Sequence, residues 1–285
     1  MNIILLIVAV LLTSLQNVIQ KEFNIKVGRG AFVFSSVAVI TASLFYIPFI
    51  KSGFHFTLMS VLYSILYAMS YSFAVIGTFF AIKTGPMSLS TLLSSFSLII
   101  PSIYGLSFLN EKFATTFLFG FVFIFLSLFF VISYNEKNKK KINIKWMIYV
   151  FMVFAGNGFG AVVQKIQQLN CGSGTKAEFM FLSMIISAVV ISTLALIFEN
   201  KNQVLYVVKR GWKYSVTMGI ANASVNYLVM VLINTIGVSV VYPVINVGGM
   251  LITIIVSFVA YKEKITWIQK IGVMLGAFGI FLITL

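Results

Sequence analysis

Ten stretches of about 20 mainly apolar residues run through the chain, at approximately 2–21, 31–50, 57–82, 87–109, 113–134, 145–169, 177–198, 211–234, 238–260 and 266–285. A helix of about 20 such residues covers the roughly 30 Å hydrocarbon core of a bilayer. Within that core the backbone has no water to bond, and a helix satisfies its own N–H and C=O groups. The ten stretches therefore predict ten membrane-spanning helices. Charge, Gly, Pro or Asn punctuates them, and little chain is left over for a soluble domain.

Composition agrees with this solvent. Residues are 60% hydrophobic and only 9% charged, with a mean hydropathy of +1.05, too few polar residues to cover a water-soluble globule. Twenty Lys and Arg stand against six Glu and no Asp, a formal charge of +14. In a soluble protein that excess would point to nucleic acid. Here the basic residues sit between apolar runs, as expected for loops beside an anionic inner leaflet. Sixteen of the twenty fall in the connections after spans one, three, five, seven and nine, and only Lys51, Lys112, Lys165 and Lys176 lie elsewhere. The positive-inside rule then puts the odd-numbered connections in the cytoplasm and both termini outside a multi-pass plasma-membrane protein. The single cysteine, Cys171, can form no intrachain disulfide. No cleavable signal peptide is expected, because the first span lacks a basic leader and is followed by Lys21 and Glu22.

The chain also repeats itself. "LNEKFATTFLFG" at 109–120 and "YKEKITWIQKIG" at 261–272 align without a gap at an offset of 152, placing Glu111-Lys112 on Glu263-Lys264 and Gly120 on Gly272. Ser90, Ser94, Ser97, Pro101 and Tyr104 form one stripe of span four, and adding the same offset gives Tyr242, Asn246, Gly249, Thr253 and Val256 in span nine. Tyr67, Ser70 and Tyr71 map onto Gly219, Asn222 and Ala223. For spans one and six the offset becomes 144: Gln20-Lys21 falls on Gln164-Lys165, Gly28 on Gly172, Gly30 on Gly174 and Thr13 on Asn157. The longest polar break, "NEKNKKKINIK" at 135–145, divides the chain into a first five-span unit (1–134), a basic linker (135–144) and a second unit (145–285). A duplicated unit with an odd number of spans inserts its second copy upside down. The expected fold is thus all-α and integral to the membrane, ten transmembrane helices as two inverted five-helix repeats around a central cavity.

Two five-span halves in 285 residues, each closing on a short Glu-Lys turn with a Gly in the last span, resemble the drug/metabolite transporter superfamily, in particular its EamA-type ten-span branch. The resemblance implies a basket of helices whose cavity is lined mainly by spans one, three, four, six, eight and nine, with five and ten peripheral. It also implies transport, with export as the direction.

The residues themselves nominate a substrate site. In "AGNGFGAVVQK" Asn157 sits between Gly156 and Gly158 near mid-span, and Gly156 with Gly160 has the GxxxG spacing that permits close helix approach. Asn157 either points into a cavity or bonds a neighbouring helix. Asn222, Asn226 and Asn246 add amides, Tyr67, Tyr71 and Tyr242 add aromatic walls, and Ser94 and Thr13 add hydroxyls. Gln20 and Gln164 are expected near opposite mouths, with Lys21 and Lys165 snorkelling to the interfaces. No glutamate lies centrally in a span. Where small multidrug-resistance relatives carry an embedded Glu, this chain has Thr13, Ser14, Gln16 and Asn17, so the cargo expected is neutral or zwitterionic and amino-acid-like. A flippase for a lipid-linked substrate is the alternative. An enzyme is not expected, for want of a Ser/His/Asp set or a carboxylate or His cluster, and neither a cofactor nor a metal is called for. The expected partners are a small-molecule substrate and the lipid bilayer, without nucleic acid, the protein acting as a monomer or homodimer.

Overall fold

The computed structural model describes residues 2–50, 57–84, 96–109, 115–132, 144–261 and 266–284. These form ten helices and, among the described residues, no strand. In chain order they are α1 (Asn2–Lys26), α2 (Ala31–Tyr46), α3 (Leu58–Thr84), α4 (Ile99–Phe108, entered through a 3₁₀ turn at Phe96–Leu98), α5 (Thr115–Ile132), α6 (Ile144–Cys171), α7 (Lys176–Phe198), α8 (Lys201–Leu232), α9 (Val238–Tyr261) and α10 (Trp267–Thr284). Seven of them, α1, α2 (as Ala31–Phe49), α3, α6, α7, α8 and α9, contain a stretch long and apolar enough to cross a membrane. Phe96–Phe108, Thr115–Ser127 and Lys270–Ile283 are shorter apolar helical stretches. The protein is a multi-pass membrane protein. The Glu-Lys turns, His55 and most of the basic linker lie outside the described residues.

One boundary differs from expectation. The eighth span begins at Lys201, ten residues before the start at 211 suggested by Lys209, Arg210 and Gly211. Asn200 caps the helix: its Oδ1 accepts from Gln203 N at 3.0 Å while Gln203 Oε1 accepts from Asn200 N at 3.2 Å, a reciprocal capping box. A π-helical turn at Val207–Gly211 then carries the helix into its membrane portion. The repeat mates Gly28 and Gly172 both have positive φ, +68° and +80°, which a glycine adopts without steric cost. After α1 the N–H groups of Val27 and Gly28 both return to Phe23 O, at 2.8 and 3.0 Å.

Helix α2 starts against the end of α7. The carboxylate of Glu199 accepts from Phe32 N at 2.8 Å and Val33 N at 2.9 Å, so a negative charge sits on the positive end of the α2 dipole. The helices pair as α3 with α6, α1 with α8, α2 with α7 and α8, α3 with α7, α1 with α9, α4 with α6 and α9, and α5 with α10. Small residues allow the closest crossings, as expected where lipid gives helices no hydrophobic drive to associate. A Cβ on Gly156 would stand 2.6 Å from Ser70 O, and one on Gly77 2.7 Å from Tyr149 O, so α3 and α6 meet backbone to backbone. Gly120 and Gly279 do the same for α5 and α10, each hypothetical Cβ lying 2.8 Å from the other's carbonyl oxygen.

The GxxxG pair is therefore asymmetric, since a Cβ on Gly160 would meet nothing closer than Ser70 and Tyr67 side-chain atoms at 3.7 Å. Gly156→Ala should lower stability by about 1–3 kcal/mol through overpacking. Gly160→Ala should stay within about 0.5 kcal/mol of the parent. Equilibrium unfolding in mixed micelles measures both, and equal losses would contradict the packing described.

Candidate substrate-binding cavity

Between α1, α3, α4, α6, α8 and α9 lies a cavity of about 420 Å³. Each helix contributes a polar stripe at helical spacing. From α1 come Thr13, Gln16, Asn17 and Gln20, from α6 Asn157 and Gln164, from α8 Asn222 and Asn226, and from α9 Tyr242 and Asn246. Tyr67 and Tyr71 of α3 face it with rings near-parallel, centroids 6.3 Å apart and planes inclined by 22°, and Ser97 and Pro101 come from the α4 side. Of the nine residues nominated from sequence, Asn157, Asn222, Asn226, Asn246, Tyr242, Tyr67, Tyr71 and Thr13 line this one space. Ser94 lies outside the described residues.

The glycines of α6 explain how Asn157 faces inward. Gly156 is pressed on α3 and Gly158 on Ile100 of α4, whose Cδ1 would lie 2.3 Å from a Cβ there. With those two faces consumed by packing, Asn157 is left exposed to the cavity, and its side chain makes no hydrogen bond within the described residues. Asn246 is also exposed, its Nδ2 donating to Tyr242 O at 2.9 Å, which leaves the amide oxygen available.

Other lining groups form one directed chain of hydrogen bonds across five helices. Tyr242 OH donates to Gln164 Oε1 at 2.5 Å, and Gln164 Nε2 donates to Asn226 Oδ1 at 3.1 Å and to the Tyr67 hydroxyl at 3.3 Å. Tyr67 OH donates to the same Asn226 Oδ1 at 3.1 Å. Asn226 Nδ2 then donates to Asn222 Oδ1 at 3.2 Å, and Asn222 Nδ2 to Gln16 Oε1 at 3.2 Å. In a low-dielectric interior, aligned donors and acceptors of this kind polarise one another and fix side-chain orientation. Nearby, Asn17 Nδ2 donates to Thr253 Oγ1 at 3.1 Å, tying α1 to α9.

Two expectations are corrected. Gln164 is not a residue of the cavity mouth: it is 2% exposed and is the hub of the chain just described. Lys165 does not snorkel to an interface. It is buried and its Nζ donates to Ile233 O at 2.8 Å, where the negative end of the α8 dipole favours a cation. Gln168 accepts from Asn234 Nδ2 beside it, so the end of α6 is laced to the turn between α8 and α9. The Lys21 ammonium lies over the Tyr261 ring, 4.3 Å from its centroid. Gln16 also lines the cavity, as do Gln20 and Gln164, which were expected only near its mouths. Their signal was present, since Gln164 follows Asn157 by seven residues, two helical turns, and Thr13, Gln16, Asn17 and Gln20 have i, i+3, i+4, i+7 spacing.

Among the described residues no lining residue carries a charge or is a histidine, and no group of His, Cys, Asp and Glu could hold a metal. The cavity offers amides, phenols, hydroxyls and ring faces. Among the described residues none of these groups is a nucleophile paired with a base.

Residues 141–285, just over half of the chain, match the family model of the EamA-like transporter family. The chain belongs to that family. EamA-like proteins form part of the drug/metabolite transporter superfamily, and members of the family are transporters rather than enzymes. Among solved structures, a crystal structure of a protein 12% identical in sequence superposes with a TM-score of 0.75, over 99% of this chain and 95% of that one. At that identity the likeness concerns the fold alone. No curated protein matches the chain.

The hub of this EamA-like cavity is open to test. Gln164→Leu removes the partner of Tyr242 and one donor to Asn226, and should cost about 1–3 kcal/mol of stability. In a double-mutant cycle with Tyr242→Phe the two losses should be coupled by about 0.5–3 kcal/mol. Strict additivity would mean that the two side chains do not act together.

Proposed function

We propose that this EamA-like protein is a secondary transporter or facilitator that carries a small neutral or zwitterionic organic metabolite, amino-acid-like in its chemistry, across the plasma membrane. The observation that carries this reading is the cavity itself: about 420 Å³, inside the range of roughly 300–1,000 Å³ usual for small-molecule sites, and lined by amides and tyrosines without a formal charge. A net charge on the cargo would be desolvated there without a counter-charge. A zwitterion brings its own, and Asn or Gln amides bond both its ends. The modest volume supports a soluble cargo over a lipid-linked one.

Alternating access of two inverted five-helix units is the mechanism proposed, with export the direction by family analogy. Most of the helix pairing supports it, an exception among the described residues being α9–α10, whose exchange mate α4–α5 is not a closely packed pair. Exchanging each helix of α1–α5 with its counterpart in α6–α10 converts α3–α6 into α8–α1, α2–α8 into α7–α3 and α1–α9 into α6–α4, all of which are observed pairs. The pairs α2–α7, α4–α9 and α5–α10 convert into themselves. The match of the family model to 141–285 supports a division near the linker.

Thermal unfolding of the purified protein against amino acids, nucleosides, sugars, quaternary amines and lipid-linked precursors tests the cargo class. A ligand at about 100 times its dissociation constant should stabilise the fold by roughly 2.7 kcal/mol. The expected result is a response to a soluble neutral or zwitterionic metabolite that disappears in Asn157→Ala. A response to lipid-linked compounds alone would replace this reading with a flippase.

Orientation can be tested with the native chain. Cys171, the only cysteine and partly exposed, ends α6 on the side predicted to face outward. A membrane-impermeant maleimide should label it in intact cells, and Arg29→Cys in a Cys171→Ser background should label only after permeabilisation. The reverse pattern would invert the topology.

A further inference from the structure

The end of the molecule that carries the α1–α2 and α7–α8 connections gathers exposed cations around one tyrosine. The Arg29 guanidinium lies 4.2 Å from the Tyr206 ring centroid, and that of Arg210 lies 5.6 Å from the same centroid. Two like charges therefore share one ring within about 10 Å of each other, a Debye length at 0.1 M salt. Lys209 and Lys213 are exposed alongside, and Lys213 stands 5.8 Å from the Trp212 ring.

The carboxylates close by in sequence are engaged elsewhere. Glu199 is 9% exposed and gives its two oxygens to the N–H groups of Phe32 and Val33. Glu22 pairs with Lys26 and accepts from the Tyr261 hydroxyl. Among the described residues neither Arg29 nor Arg210 has a carboxylate within ion-pair distance. The described residues thus supply these two arginines with no anion.

A second observation says what kind of molecule bears that anion. The same segment exposes Leu205, Val208 and Trp212, which are 56%, 49% and 48% accessible, and α7 ends beside it on Leu196, Ile197 and Phe198, at 79%, 66% and 52%. Cations and bare apolar side chains alternate along the first turns of α8, including its π-helical turn Val207–Gly211. A soluble anion has no use for the apolar surface, whereas a phospholipid has a phosphate and acyl chains at the same spacing as a membrane interface. Arg is suited to phosphate because its planar fork donates two parallel hydrogen bonds, and it stacks on an aromatic face while doing so.

We propose that Arg29 and Arg210, framed by Tyr206, form a binding site for the phosphate headgroup of an anionic phospholipid, with its acyl chains lying against Leu205, Val208 and Trp212. The site is at the rim of the helix bundle, uses no residue of the cavity, and stands whatever the transported cargo proves to be.

Native mass spectrometry of the delipidated full-length protein, titrated with phosphatidylglycerol or phosphatidylcholine, tests it. Phosphatidylglycerol should be retained preferentially. Each basic residue near an anionic surface carries about fivefold in affinity, so Arg29→Gln with Arg210→Gln should weaken retention by about thirtyfold. Both arginines are exposed, and an unchanged gel-filtration profile and helicity would show that the variant folds. A control, Lys145→Gln with Lys270→Gln, removes the same charge at two other exposed positions and should retain the lipid. Equal losses in both variants would reduce the effect to a diffuse surface field and overturn the site. Equal retention of phosphatidylcholine would also overturn it. Displacement of the lipid by millimolar glycerol phosphate would reassign the arginines to a soluble anion, against the proposal.

Discussion

A polar side chain inside a bilayer finds its partner in the protein or pays the full cost of going without one, and this constraint orders the centre of the molecule. Gln164 satisfies its oxygen with Tyr242 and its nitrogen with Asn226 and Tyr67, so α3, α6, α8 and α9 are held in one rotational setting. Once those faces are fixed, the remaining polar groups of the same stripes have nowhere to point except the space between the helices. Asn157 and Asn246 keep unsatisfied hydrogen-bonding capacity because their neighbours have used the available partners. The structural network and the binding surface are made from the same residue types, and position in the chain of bonds separates one from the other.

The packing outside that centre follows a different rule. Where α3 meets α6, α2 meets α8 and α5 meets α10, glycines bring backbones into contact: Gly219 leaves room for a Cβ only 2.3 Å from Ala38 O, which is no room at all. Contacts of this kind tolerate no added carbon, yet they make few side-chain commitments. The cavity is thus lined by committed side chains and framed by smooth, close crossings.

The membrane class, the number of helices and eight of the polar or aromatic lining residues were legible in the sequence because each rests on local pattern. A run of apolar residues is a local fact, and so is the spacing of Thr13 from Gln20 or of Asn222 from Asn226. The start of α8 was legible in principle too, since the Asn200 and Gln203 pair that caps it lies in plain sight among residues that otherwise read as a polar connection. The seven-residue spacing from Asn157 puts Gln164 on the cavity face, but what could not be read was the long-range closure over Gln164 and Lys165. Within five residues of the expected end of the sixth span, they looked like mouth and interface residues. The turn after α8, about 70 residues further on, meets Lys165 and Gln168, while Tyr67, Asn226 and Tyr242 enclose Gln164. That outcome depends on long-range packing, to which spacing within one helix is blind.

Glu199 has a consequence for how such a molecule can move. It belongs to the second half of the chain, and the helix end it neutralises belongs to the first, so the charge-assisted bonds to Phe32 and Val33 act as a pin through both halves at a buried point. A shift of an ångström or two there would leave a carboxylate and two amide protons stranded away from water, at far greater cost than sliding one glycine face over another. A rearrangement that kept these bonds would turn α2 and α7 about this point together, as the two leaves of a hinge turn about its pin.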